Sequence, residues 1–234
     1  MEIKENIARL KERIKNAAER VGRNPEEITI IAVTKTVPPD IIQQAIDCGI
    51  AIIGENRVQE AKEKFAIIGN KVQWHLVGHL QTNKVKDALK IFSLIHSLDS
   101  IKLAEEIEKR ATGMVDCLIE VNTSGEPTKF GVKPEQLFEF YESIKDFKKI
   151  RIQGLMTIGP GWAITDPEAS RGSFKLLHDL RDELAQAFDQ DFPILSMGMT
   201  SDFEIAIEEG SNMVRIGTAI FGPRGEYGQS KKMH

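Results

Sequence analysis

The chain has 234 residues, enough for one large domain or two small ones with a sizeable core. Its 31 Lys and Arg against 35 Asp and Glu give a formal net charge of -4, which argues against a chain-wide basic surface for nucleic acid or anionic membranes. We find no apolar stretch of membrane-spanning length and no secretory signal, and we expect a cytoplasmic protein.

The first predicted element is an amphipathic helix within residues 1–22. Stripes of this kind occur in coiled-coil seams and in helices that pack on their own domain. Because this one spans few turns, we expect it to pack on its own domain. Its apolar face comprises Ile3, Ile7, Leu10, Ile14, Ala17 and Val21.

The cysteines and histidines do not indicate a metal site. Cys48 and Cys117 lie far apart in apolar surroundings, which predicts buried thiols in a reducing compartment. His75 and His79 in WHLVGH resemble a helical zinc pair in spacing, but no Glu lies between them and the segment reads as a strand. We therefore predict no metal.

After the first helix, a strand–loop–helix pattern repeats eight times. The strand segments are apolar almost throughout, which is typical of parallel strands covered by helices. Eight such units predict a single closed (β/α)8 TIM barrel over residues 1–234, with the N-terminal helix in front and a short polar C-terminal tail. The segments are ITIIAVTK, IAIIGEN, VQWHLVGHLQ, IFSLIHSLD, VDCLIEVNTS, IRIQGLMTIG, PILSMGMTS and MVRIGTAIFG.

An open, doubly wound sheet is the alternative fold. Such a sheet normally has a glycine-rich turn after its first strand, whereas residues 34–39 here read TKTVPP. The barrel is therefore the better interpretation.

The polar residues of these strands gather at their carboxyl ends, the face that carries the active site in such barrels. Lys35 is notable because it directly follows a strand of the buried type. The full set is Lys35, Gly54 to Asn56, His75, His96 and Ser97, Asn122, Met156 and Thr157, Ser196 to Asp202, and Arg215 to Gly222.

The loops after strands seven and eight often hold phosphate in these barrels. SMGMTSD offers the hydroxyls of Ser196, Thr200 and Ser201 beside a glycine, and RIGT offers Gly217 and Thr218. Small residues also ease tight turns, and that is the alternative interpretation. Neither loop has the spacing of a nucleoside-triphosphate site, so ATP is disfavoured.

Lys35 and a phosphate site together predict a particular cofactor. A buried lysine amine is a nucleophile that forms a Schiff base with an aldehyde. Pyridoxal 5′-phosphate (PLP) carries an aldehyde and a phosphate at opposite edges of one ring. An aldolase-type lysine without a cofactor is the alternative, but such barrels carry it on strand six, and RIQGLMTI has none.

Arg215 is the third candidate residue. The ring nitrogen of PLP takes an acidic or an Arg partner, and an Arg leaves the ring a weak electron sink. Arg215 within MVRIG is costly to bury without a partner. We predict that it meets the ring nitrogen; a structural ion pair near the barrel wall is the alternative.

Seven motifs in this order resemble the pyridoxal phosphate homeostasis proteins, also called proline synthetase co-transcribed homologues. The resemblance covers essentially the whole chain and implies a barrel similar to the N-terminal domain of alanine racemase. It implies the cofactor on Lys35, with Ser196, Gly217 and Thr218 at the phosphate, Arg215 at the ring nitrogen and Asn56 nearby. The motifs are IAVTK, GENRVQE, WHLVGHLQTNK, HSLDS, GLMTI, SMGMTSDFEIAIEEGS and VRIGTAIFG.

The same resemblance implies PLP homeostasis, that is, buffering or delivery of the cofactor, without robust catalysis. The opposing tyrosine of the racemase belongs to a second domain, which we expect to be missing here; Tyr141 and Tyr227 are not at strand ends. The alternatives are a PLP-dependent racemase or decarboxylase that uses His75, His96 or a partner protein, and a phosphosugar enzyme without cofactor. We expect a monomer, with apo PLP-dependent enzymes as the recipients of the cofactor.

Overall fold

Eight parallel strands close into a barrel in their order along the chain, in a computed structural model that describes residues 2–223. Pairing of the last strand with the first closes the sheet. The predicted (β/α)8 barrel is confirmed, and the open sheet is wrong. The strands are β1 Thr29–Val33, β2 Ile52–Glu55, β3 Gln73–Leu76, β4 Leu94–Leu98, β5 Val115–Glu120, β6 Ile150–Met156, β7 Ile194–Ser196 and β8 Met213–Ile216.

Helices surround the barrel, and each interval between strands contains at least one. Short 3-10 turns occupy Gly161–Ile164 and Pro167–Ser170 in the long loop after β6. The helices are α1 Ile3–Arg20, α2 Pro39–Asp47, α3 Val58–Ile68, α4 Val85–Ala88, α5 Ile101–Arg110, α6 Leu137–Ile144, α7 Arg171–Phe188, α8 Phe203–Glu208 and α9 Thr218–Phe221.

The last apolar run is only half a strand. We predicted a strand through MVRIGTAIFG, but β8 ends at Ile216 and α9 begins at Thr218. The α9 residues leave the sheet and pack on α1, where the Asn6 side-chain amide donates to Ile220 O at 2.9 Å. An apolar run cannot by itself distinguish a strand from a short buried helix.

The first helix packs on its own barrel, as predicted. Its apolar stripe is buried against α8 and α9, and Arg13 on its flank pairs with Glu204 at 2.9 Å. Val21 was wrongly included in the stripe, because it follows the end of the helix and is exposed.

The core has two layers. The larger lies between the sheet and the helices, and a smaller one fills the barrel interior below the polar rim. Side chains alternate along β5, so Cys117 belongs to the outer layer and Leu118 to the interior. Cys117 is buried as predicted, whereas Cys48 is only half-buried. The interior layer comprises Ile31, Val77, Leu94, Leu118, Met156 and Met213.

Among residues 2–223, no helix has both the length and the apolar character needed to cross a bilayer. The predicted polar tail falls within residues 224–234, which lie outside the described residues.

Candidate functional site

Lys35 lies in a turn at the carboxyl end of β1. The strand ends at Val33, the turn closes through a bond from Val37 N to Thr34 O at 2.9 Å, and α2 follows. Lys35 is half-buried, and Thr36 has a φ of 64°, which is rare for a β-branched residue. The turn therefore places a strained backbone position directly after Lys35.

The neighbours of β1 bring two predicted residues to this turn. Asn56 directly follows β2, which pairs with β1 on one side. Gly217 directly follows β8 on the other side, and a Cβ added to it would lie 3.5 Å from Val33 O. Lys35, Asn56 and Gly217 thus occupy three adjacent strand ends on one face of the barrel.

Arg215 lies inside the barrel and is 4% exposed. Its Nη1 donates to the carbonyl and the hydroxyl of Ser196, and its Nη2 donates to Thr157 O, all at 2.8 Å. A guanidinium has five N–H donors, so two remain without an acceptor among the described residues. Burial lowers the pKa of Arg215 to about 10, although Asp202 and Glu120 favour its charge. The side chain stays protonated at neutral pH.

Ser196 connects Arg215 to two histidines. Its fully buried hydroxyl lies 3.0 Å from His96 Nδ1, and His96 Nε2 lies 3.1 Å from His75 Nδ1. Burial lowers the pKa of His75 to about 4 and that of His96 well below its ordinary value, so both are neutral at pH 7.

Counting hydrogens assigns the donor and the acceptor of each hydrogen bond in the series Arg215–Ser196–His96–His75. Ser196 accepts from Arg215, so its single hydrogen is available for His96 Nδ1. His96 then carries its hydrogen on Nε2 and donates to His75 Nδ1. In the reverse direction the Ser196 hydrogen would have no acceptor within residues 2–223. We therefore assign both histidines the Nε2–H tautomer.

Glu120 is a residue that the sequence analysis missed. It ends β5 two residues after the interior Leu118, it is 6% exposed, and its carboxyl group has no hydrogen-bond partner in the described part of the chain. Burial, reinforced by the nearby Asp99, raises its pKa to about 7, although Arg215 opposes the shift. A carboxylate at the end of the apolar run VDCLIEV is the signal that could have revealed it.

Asn56, at the face of the barrel formed by the carboxyl ends of the strands, has a side-chain atom that no described residue hydrogen-bonds. Its side-chain Oδ1 is buried without a hydrogen-bond partner among the residues described. The backbone of Gly78 packs closely behind it, since a Cβ there would approach Asn56 O to 2.4 Å. A buried polar oxygen without a partner is costly, so this atom is suited to accept a hydrogen bond from a bound molecule.

The two predicted phosphate loops lie side by side. Ala219 N, in the first turn of α9, donates to Thr200 Oγ1 at 3.4 Å. Asp202 fixes the loop after β7 by accepting from Met199 N and from the Ser170 hydroxyl, both at 2.7 Å. Thr200 therefore lies beside the first turn of α9, which begins directly after Gly217. Phosphate binding by Gly217 and Thr218 stays a prediction.

Ser196 has a different environment from these three residues. Its hydroxyl is occupied by Arg215 and His96 in the barrel interior. Ser196 is the first residue of SMGMTSD, but it is also the last residue of β7, and its side chain faces the barrel interior rather than the loop. Its role as a phosphate ligand stays a prediction.

The two histidines compared with a zinc pair have separate partners. His79 Nδ1 lies 3.2 Å from Asp99 Oδ2, its ring stacks on Phe130, and His75 contacts His96. No group of three or more His, Cys, Asp or Glu in residues 2–223 is arranged to hold a metal ion.

Comparison with known proteins gives one family model and many close relatives. The model described as "Alanine racemase, N-terminal domain" matches residues 5–225. A pyridoxal phosphate homeostasis protein of Aquifex aeolicus is 46% identical over 224 residues, covering 94% of this chain and 97% of the relative.

Solved structures agree with these matches. A crystal structure described as that of an unknown protein from Bifidobacterium adolescentis superposes with a TM-score of 0.85 at 38% identity, covering 94% of each chain. PipY of Synechococcus elongatus with PLP bound superposes with a TM-score of 0.80 at 32% identity, covering 94% of this chain and all of PipY.

Proposed function

This chain belongs to the alanine racemase N-terminal domain family and, within it, to the pyridoxal phosphate homeostasis proteins, and on that premise we propose that it binds PLP at Lys35 and buffers or delivers this cofactor. The observation that carries the proposal is the position of the Lys35 turn between Asn56 and Gly217 at adjacent strand ends. This arrangement fits a ligand with an aldehyde on one edge and a phosphate on the other.

The chemistry of the donors supports the assignment. Asn56 Oδ1 is a buried acceptor without a partner, and Arg215 has two N–H donors without acceptors among the described residues. When bound, PLP supplies an aldehyde that condenses reversibly with a lysine amine. Lys35 would provide that amine, Arg215 would donate to the ring nitrogen, and Gly217 and Thr218 would hold the phosphate.

A carrier role is supported by the state of Arg215. With a pKa of about 10, its guanidinium is a donor at neutral pH and cannot accept a proton from the ring nitrogen. It therefore favours an unprotonated ring nitrogen, which weakens the electron-withdrawing power on which amino-acid chemistry depends.

The candidate second bases also favour a carrier. His96 is fully buried, and both of its ring nitrogens are occupied by Ser196 and His75. Tyr141 donates to Gln190 and packs edge-on against Phe192, in the layer outside the barrel. Tyr227 lies outside the described residues.

Glu120 is the observation that favours the second candidate, a PLP-dependent racemase or decarboxylase. A carboxyl group with a pKa of about 7 is matched to proton transfer at neutral pH. It faces the interior near Arg215. We rank the carrier first because the weak ring electron sink limits what any base could accomplish.

One preparation tests both candidates. We expect protein incubated with PLP to be yellow and borohydride to fix the label on Lys35, as read from a peptide map. Lys35→Ala should lose the label, whereas a matched change at the exposed Lys90, Lys90→Ala, should keep it. A colourless preparation that carries no label would overturn PLP binding at Lys35.

The same samples are assayed for conversion of amino-acid enantiomers. We expect no turnover at enzymatic rates. Turnover that disappears in both Lys35→Ala and Glu120→Gln would overturn the carrier role and establish the second candidate.

We also propose a cytoplasmic monomer that passes PLP to apo-enzymes. Exposed Phe130 on the loop after β5 and exposed Trp162 on the loop after β6 leave apolar area for a transient contact. Sedimentation gives the oligomeric state.

Transfer of PLP to an apo-enzyme is expected to be faster when the two proteins are mixed than when a dialysis membrane separates them. Equal rates would exclude direct delivery.

A further inference from the structure

Lys64 has an unusual position for a lysine on an outer helix. It lies on α3, yet it is only 7% exposed. Its Nζ donates to Thr34 O at 2.6 Å, to Glu55 Oε1 at 2.7 Å and to Glu60 Oε1 at 2.7 Å. An ammonium group has three hydrogens, so every donor is used.

Lys64 and its partner Glu60 bind the two peptide groups that flank Lys35. The Thr34 carbonyl belongs to the peptide that joins Thr34 to Lys35, and Lys64 holds it. The Thr36 N–H belongs to the peptide that follows Lys35, and it donates to Glu60 Oε1 at 2.6 Å. One cluster of three charged side chains thus fixes the backbone on both sides of Lys35.

A further bond and the backbone conformation strengthen this interpretation. The Thr34 hydroxyl donates to Glu55 Oε1 at 2.6 Å, so β2 also restrains the turn. Thr36, with its φ of 64°, is in a conformation that persists only where the surroundings impose it.

Stability alone does not account for the cluster. Burying Lys64 and Glu55 requires removing both charges from water, and apolar side chains of similar volume often serve a fold equally well. Burial raises the pKa of Glu55, and its Oε2 has no hydrogen-bond partner in residues 2–223. An expensive ionic cluster that contacts the peptides of a functional lysine suggests a positioning role.

We propose that Lys64, together with Glu60, is a positioning residue that holds the Lys35 turn so that the amine meets the PLP aldehyde. The inference rests on the proposed function. In the step concerned, a bond forms from Lys35 Nζ to the aldehyde carbon and the carbon–oxygen bond breaks. The oxygen leaves as water with both hydrogens of the neutral amine, and no redox partner is needed.

Two ligands separate positioning from general binding. PLP can condense with Lys35, whereas pyridoxamine 5′-phosphate has the same ring and phosphate but no aldehyde. For Lys64→Met we expect PLP affinity to fall about tenfold or more, since a charged hydrogen bond to the turn is lost. Affinity for pyridoxamine 5′-phosphate should stay within about twofold of wild type, since ring and phosphate contacts are unchanged.

The matched control is Lys62→Met on the exposed side of the same helix, where Lys62 pairs only loosely with Asp87 at 3.4 Å. In a Lys35→Ala background, Lys64→Met should have no further effect on PLP affinity, because the positioned amine is absent. A purely structural role would lower affinity for both ligands and would persist in that background.

A second variant covers the case in which Lys64→Met does not fold. Glu60 is more exposed than Lys64, and Glu60→Ala removes the acceptor of Thr36 N. We expect slower borohydride labelling of Lys35 than in the control Glu63→Ala, measured well below the melting temperature of either variant so that both are folded.

The outcomes are distinct. If wild type does not bind PLP, the proposed function falls. If wild type is labelled at Lys35 and both cluster variants match their controls, only the positioning role is overturned. Equal losses for PLP and pyridoxamine 5′-phosphate overturn it as well.

Discussion

Arg215 donates from one nitrogen, Nη1, to both the carbonyl and the hydroxyl oxygen of Ser196, each at 2.8 Å. The two residues lie on adjacent strands, β8 and β7, inside the barrel. The pairing fixes the guanidinium plane and uses the serine hydroxyl that the sequence assigned to a phosphate. It also leaves Arg215 with donors for a ligand.

Ser196→Ala tests what this hydroxyl does. The change leaves an Arg215 N–H and His96 Nδ1 without their partner, so we expect a loss of about 1–3 kcal/mol in the free energy of unfolding. Urea denaturation measures it, with the exposed Ser143→Ala as control. PLP labelling of Lys35 should survive. Unchanged stability together with a large loss of PLP affinity would instead make Ser196 a phosphate ligand.

Glu120 should make the protein less stable as the pH rises. Its pKa is raised from 4.5 to about 7 in the fold, so the folded state binds its proton more tightly than the unfolded state. Stability is then lost as the pH rises from about 4.5 to 7, by roughly 3 kcal/mol in total. Glu120→Gln cannot ionise. Its free energy of unfolding, relative to that of wild type, should therefore be higher at pH 8 than at pH 5.

The control for Glu120 is Glu135→Gln at an exposed position. Free energies of unfolding at pH 5 and pH 8 decide the question. A difference between Glu120→Gln and wild type that does not change with pH would contradict the assignment.

His75 should make the protein less stable as the pH falls, the opposite of the effect of Glu120. Burial lowers its pKa from 6.5 to about 4, so the unfolded state binds its proton more readily. Stability is lost as the pH falls from about 6.5 to 4, by roughly 3 kcal/mol for this group. His75→Gln keeps an acceptor for His96 Nε2 and should flatten the acid limb of a stability–pH curve. An unchanged acid limb would show that His75 is not the responsible group.

Gly78→Ala should disturb the site through Asn56. The added methyl would lie 2.4 Å from Asn56 O, which is backbone and cannot move aside without shifting residue 56. We expect PLP affinity to fall at least about tenfold, since a hydrogen-bonding group at the mouth is displaced. Gly113→Ala is the matched control, because a Cβ at Gly113 meets nothing within 4 Å. Equal PLP affinities in the two variants would show that Asn56 does not contribute to PLP binding.

Much of the fold could be predicted because it depends on local patterns. Continuous apolar runs indicate strands that are buried on both faces, and their alternation with helices leaves few topologies. The error at α9 arose where the run TAIFG satisfies both a strand and a short buried helix. The stripe on α1 was right except at its last position, Val21, where the helix had already ended.

The sequence determined which residues reach the functional face, because the carboxyl ends of parallel strands meet there. Lys35, Asn56, Gly217 and Thr218 follow from that rule. Tertiary structure decided which of them contact one another. Arg215 is hydrogen-bonded to Thr157, which is 58 residues away in the sequence, and Ser196 to His96, which is 100 residues away. Lys64 is hydrogen-bonded to the Lys35 turn 30 residues earlier. Such partners depend on closure of the barrel and on the direction of each side chain, and neither is encoded in the spacing of residues along the chain.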